Sequence, residues 1–88
     1  MKKQEVTVTN PLGIHARPAS LIVQTAAKFQ AEVWLEKDDM EANAKSIMSV
    51  MMLTATFQSK IIIRAQGKDE VEAIAAVAAL FALNFNEK

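Results

Sequence analysis

The chain contains a single histidine, His15, in the stretch Gly-Ile-His-Ala-Arg-Pro-Ala-Ser at residues 13–20, with Arg17 two positions on and Pro18 three. An imidazole can act as a covalent nucleophile, and a nearby guanidinium supplies a fixed charge whose planar fork of donors suits phosphoryl oxygens. Pro18 fits the first turn of a helix, where its missing N–H would have had no partner anyway. His15 then lies beside the unpaired N–H groups of that turn, which together carry about half a positive charge and favour anions. A residue before proline is biased toward extended backbone, so Arg17 is expected to project from the helix mouth rather than wind into it. Together these residues would form an anion-binding helix mouth at which His15 could serve as a covalent nucleophile. The alternative, a surface histidine that merely caps a helix, is the commoner case for a lone histidine judged on residue type alone.

The elements that must hold this stretch follow from periodicity. Glu5 to Thr9 alternate, with Val6 and Val8 on one face of a half-buried strand, until Asn10, Pro11 and Gly13 break it. Ile22, Ala26 and Phe29 recur at helical spacing, which predicts a helix from about Ala16 to Phe29. Ala31 to Glu36 alternate again, with Val33 and Leu35 inward and Trp34 outward. Lys37, Asp38 and Asp39 then turn the chain into a short strand over Met40 to Asn43, completing a hairpin. Ser46 can cap a short helix over Ile47 to Leu53 by accepting from a backbone N–H, with Val50 and Leu53 as core. Lys60 to Gly67 form a β-branched strand with Ile61, Ile63 and Ala65 on one face and Arg64 and Gln66 on the other. Asp69 can cap a last helix whose apolar stripe is Ile74, Val77, Ala78, Phe81 and Phe85. The order β-α-β-β-α-β-α makes the fold class α+β, a small antiparallel sheet with three helices on one face. Alternation alone leaves a ferredoxin-like strand order open.

Composition narrows the function classes. An 88-residue chain with 51% hydrophobic residues suffices for one domain over 1–88 and is too short for two. Ten basic and ten acidic side chains cancel, so no charge excess draws the chain to nucleic acid or an anionic membrane. There is no cysteine, hence no disulfide or thiolate metal site. One histidine among scattered carboxylates offers no metal-ligand cluster, and no organic cofactor is implied. The N-terminus alternates instead of running apolar, unlike a signal peptide, and no run of 18 apolar residues suggests membrane insertion. A cytoplasmic location is expected.

The string Leu-Gly-Ile-His-Ala-Arg-Pro-Ala-Ser resembles the active-site segment of the histidine-containing phosphocarrier (HPr) family of the bacterial phosphoenolpyruvate-dependent phosphotransferase system. Ala-Lys-Ser-Ile-Met-Ser-Val-Met-Met-Leu, residues 44–53, resembles the segment that carries that family's regulatory serine, at the family's separation. The resemblance spans the chain and implies an open-faced β-sandwich with sheet order 1-4-2-3. It implies a phosphocarrier rather than an enzyme: His15 accepts a phosphoryl group on Nδ1 from enzyme I and donates it to enzyme IIA proteins for sugar uptake. Arg17 and the backbone N–H groups of Ala16 and Arg17 would hold the phosphoryl group. It further implies regulation at Ser46 by an HPr kinase/phosphorylase, a docking patch over Ile47, Met48 and Met51, and a catabolite-control transcription factor as a further partner. The relative Crh, which lacks the histidine, is excluded. Leu12 departs from a position that is polar in many members, and Ser49, Thr54 and Gln58 stand where Gram-positive members commonly have glycine. The second helix therefore lacks its usual glycine stop and is expected to run on or to end in a different turn. "TNPLGIHARPA" and "AALFALNF" also resemble the nitrogen-related paralogue NPr, so a regulatory nitrogen-branch module is the alternative function.

Overall fold

The computed structural model describes residues 1–87; Lys88, the end of the expected 1–88 domain, lies outside the described residues. The elements run β1 (Lys2–Thr7), α1 (Ala16–Ala26), β2 (Glu32–Lys37), β3 (Met40–Asn43), α2 (Ile47–Met52), β4 (Lys60–Gln66) and α3 (Glu70–Ala82). The strands form one antiparallel sheet in the order β1-β4-β2-β3, which settles the question that alternation left open.

One register line of the sheet, Gln4, Ile63, Leu35 and Ala42, faces the helices. Val33, Leu35, Ile61 and Ile63 on that face are wholly buried, as are Ile22 of α1, Val50 of α2 and Val77 of α3. Full burial of an aliphatic side chain of this size contributes about 1.5–3 kcal/mol, so the period-2 and period-3.6 patterns meet in a single core. Leu53 is also buried. The helix-free face carries Trp34, with the Arg64 guanidinium 4.6 Å from its ring centroid and paired to Glu36 and Glu41.

Several expected boundaries shift. β1 starts earlier, because β4 reaches Gln66 and gives even Lys2 a register partner in Ala65. It ends earlier too, although Val8 stays tied to the next loop: its N–H donates to Ser59 O and its carbonyl accepts from Gln58 N. α1 stops at Ala26 rather than Phe29. Lys28 and Phe29 donate to carbonyls only three residues back, and the N–H groups of Gln30 and Ala31 are drawn out of the helix by the Asp69 carboxylate at 2.9 and 2.8 Å. Asp69 therefore does not cap α3 through its side chain. The Gln30 N–H foremost, with that of Ala31, holds its carboxyl below the ordinary carboxylate value against the opposing effect of desolvation. Arg17 is the second residue of α1, not an extended residue ahead of it. The pre-proline bias is a preference, and burial of Pro18, Ala19 and Ile22 on this helix overrides it.

The C-terminus departs furthest. α3 ends at Ala82, and Asn84, Phe85 and Asn86 all have left-handed backbone, with φ of 51°, 54° and 60°. Phe85 is buried as the apolar stripe predicts, packed edge-on against Phe81 at 4.9 Å, but it gets there through a reversed turn and not as a fourth turn of helix.

After α2, Thr54 and Gln58 have φ of +48° and +73°. The chain thus keeps a left-handed conformation at two positions where the resembled family commonly has glycine. That region costs a non-glycine residue about 1–2 kcal/mol, against about 0.5–1 kcal/mol for the extra freedom that glycine loses on folding. Gln58→Gly should accordingly stabilise the fold by about 0.5–1 kcal/mol, read as a higher melting temperature, whereas Gln58→Ala should give no gain. Equal melting temperatures for the glycine variant and the parent would mean that the turn is not strained.

Candidate functional site

The loop Asn10 to Gly13 aims His15. Gly13 N donates back to Asn10 O at 3.0 Å, and the wholly buried Asn10 side chain donates to Gly13 O at 2.7 Å. Gly13 has φ of +72°, and a Cβ there would lie 2.5 Å from Ala55 O, so no other residue fits without moving the backbone. The next residue locks the approach, since Ile14 N donates to that same Ala55 carbonyl at 2.9 Å. His15 emerges as the N-cap of α1 with extended backbone, and its side chain makes no capping bond.

The helix mouth is therefore open to an anion. Of the first-turn donors, Pro18 has none to give and Ala19 N is committed to His15 O at 3.0 Å. Among the described residues, no hydrogen bond takes up the N–H groups of Ala16 and Arg17. No acidic side chain lies in the first turn of α1 to compete for them.

The reversed turn after α3 brings a group that sequence reasoning missed. Glu87 reaches across to His15, with its carboxylate oxygens 3.2 and 2.9 Å from Nε2. Asn10 Nδ2 donates to Glu87 Oε1 at 3.0 Å. Arg17 Nη1 donates to Phe85 O at 2.7 Å and lies 3.5 Å from Glu87 Oε2, so at rest its charge serves the C-terminal turn. Thr9 Oγ1 donates to Asn84 Oδ1 and ties the turn to the end of β1. The His15 side chain is 37% exposed and that of Glu87 only 17%. Desolvation pushes the Glu87 carboxyl up, but hydrogen bonds from Asn10 and His15, with the charges of His15 and Arg17, outweigh it and hold the group below its ordinary value. The one available signal was the Asn-x-Asn spacing at 84–86, since asparagine tolerates left-handed backbone better than most residues.

Ser46 lies elsewhere, as the N-cap of α2, with its Oγ accepting from Ser49 N at a long 3.4 Å. α2 packs against α1, but among the described residues no hydrogen bond or ion pair joins Ser46 to His15. On α2, Ile47, Met48 and Met51 are 40, 68 and 40% exposed, and Leu12 is exposed beside the histidine loop. Among the described residues no group of His, Asp and Glu is placed to hold a metal ion, and no helix is long and apolar enough to cross a membrane.

Comparison with known proteins is consistent across sequence and structure. The family model described as the PTS HPr component phosphorylation site matches residues 2–82. The phosphocarrier protein HPr of Xylella fastidiosa (strain Temecula1) is 47% identical over 87 residues, spanning 99% of this chain and 98% of that protein. The HPr-like protein Crh of Bacillus subtilis is 46% identical over 79 residues, 90% of this chain and 93% of the relative. The crystal structure of HPr-C-His from Thermoanaerobacter tengcongensis superposes with a TM-score of 0.96 at 44% identity, covering 100% of this chain and 99% of that one. With this strand order, these helices and this match over nearly its whole length, the chain belongs to the HPr family of the phosphotransferase system, phosphocarrier proteins rather than enzymes.

Proposed function

We propose that this chain carries a phosphoryl group on Nδ1 of His15, taking it from enzyme I and handing it to enzyme IIA proteins for sugar uptake in the cytoplasm. The observation that carries the reading is a histidine at the N-cap whose ring does not cap its own helix, which argues against the capping alternative. In the transfer, the Nδ1 lone pair attacks phosphorus while the bond to the donor breaks and the donor group keeps that electron pair. The N–H groups of Ala16 and Arg17 meet the phosphoryl oxygens at the positive helix end. Arg17 exchanges Phe85 O and Glu87 for those oxygens, a better match for its fork of donors. The test is incubation with enzyme I, phosphoenolpyruvate and Mg²⁺, which should leave one acid-labile phosphate per chain.

Regulation through Ser46 belongs to the same proposal. An HPr kinase/phosphorylase would add a phosphate of about −1.5 to −2 charge there, next to the exposed Ile47, Met48 and Met51 on which partners would dock. Methionines suit a surface that must fit several partners, and for the Ser46-phosphorylated form these would include a catabolite-control transcription factor. Ser46→Asp should raise the apparent KM of enzyme I for this protein with the melting temperature unchanged or slightly higher, because an anion is favourable at a helix start. An unchanged KM would leave Ser46 as a helix cap only.

A further inference from the structure

The geometry points to a second functional carboxylate: we infer that Glu87 is a positioning residue that fixes which nitrogen of His15 is the nucleophile. The inference rests on the reading of His15 as the phosphoryl acceptor and adds to it the group that sets the ring.

A neutral imidazole carries its proton on one nitrogen and its lone pair on the other, and the hydrogen bond made by one nitrogen decides the state of its partner. An ionised carboxylate can only accept. With both Glu87 oxygens within 3.2 Å of Nε2, the neutral ring keeps its proton on Nε2 and its lone pair on Nδ1. Among the described residues nothing hydrogen-bonds Nδ1.

The same contact serves the transfer itself. When Nδ1 forms its bond to phosphorus, the ring gains the positive charge that the lone pair gave up, while the proton stays on Nε2 throughout. Glu87 stands against that charge, as a buried carboxylate does behind a catalytic imidazole. The carboxylate is itself held, by Asn10 from the histidine loop and by the turn that Arg17 and Thr9 secure. Since Asn10 also shapes the Gly13 turn, one buried amide sets the angle of His15 and the place of its partner together.

The experiment is nitrogen NMR of the imidazole in the unphosphorylated protein at about pH 8, above the ordinary histidine range, for the parent, Glu87→Gln and Glu87→Ala. Circular dichroism confirms that each is folded. The parent should show the Nε2–H tautomer almost alone. Glu87→Gln, whose amide oxygen still accepts, should keep that tautomer but lose the charge, and be phosphorylated about tenfold more slowly. Glu87→Ala should relax toward the tautomer mixture of free imidazole and also slow. Imidazole nitrogen shifts that are identical in parent and Glu87→Ala would overturn the inference even if labelling were normal. A parent that shows the single tautomer yet takes no label from enzyme I would overturn the carrier reading instead.

Discussion

His15→Ala should abolish the acid-labile phosphate while leaving the fold standing. The proposed covalent acceptor is then missing, and no second histidine in the chain can replace it. Its side chain is more than a third exposed, and its described partner is the Glu87 carboxylate. A polar contact of that exposure contributes little to stability, and removing it leaves Glu87 with Asn10 and Arg17 still in place. The melting temperature should therefore stay close to the parent's and the far-UV spectrum should be superimposable. Label incorporation from phosphoenolpyruvate at the parental rate by the alanine variant would place the acceptor elsewhere.

Arg17→Glu should be the next most severe change. Removing one preorganised donor at a site of developing charge costs about 10²–10³-fold in rate, and reversing the charge adds repulsion toward an incoming phosphoryl group at the same helix mouth. Stability is not untouched, because the variant also loses the 2.7 Å bond to Phe85 O and places a second carboxylate next to Glu87. A hydrogen bond from a charged donor is worth about 1.5–3 kcal/mol, so a loss of several degrees in melting temperature is expected, more than for an ordinary surface substitution. Arg17→Lys separates the two roles: it keeps the charge but not the fork, so it should recover most of the stability and only part of the rate. Parental transfer kinetics in Arg17→Glu, at a temperature where it is folded, would assign the residue to the C-terminal turn alone.

The contrast between His15 and Glu87 shows which parts of the site could be read from residue order. The Gly13 to Ser20 stretch is local: a turn glycine, an N-cap position and a first-turn proline each act within a few residues, and local rules describe them. The alternation of Val33, Leu35, Ile61 and Ile63 is likewise a local record of burial. Glu87 meets His15 only because three successive residues reverse the hand of the chain after Ala82, an outcome set by burial of Phe85 and by anchors on Thr9 and Arg17. Asp69 was misread for a related reason: cap and clasp draw on the same carboxylate, and the competing N–H groups of Gln30 and Ala31 lie far away in sequence. Strand order was legible only through family resemblance, since alternation marks the buried face of a strand and says nothing of its neighbour.

The sheet order also governs how the molecule can assemble as it is made. Of the strands, β1 leaves the ribosome first, yet among the described residues its sole partner strand is β4, which begins at Lys60. A growing chain must therefore close a long loop over α1 and the β2–β3 hairpin before residues 2–7 gain any ladder, a step opposed by chain entropy. Until then β1 is a bare strand with two free edges, the kind of surface that pairs with the wrong neighbour, and Lys2 and Lys3 supply the charge that discourages such pairing. The contact at His15 Nε2 forms later still, because its partner is the carboxylate 72 residues downstream. Nascent chains held short of residue 87 would present the histidine without the carboxylate that contacts it, and on the inference above they would accept a phosphoryl group more slowly than chains that include it.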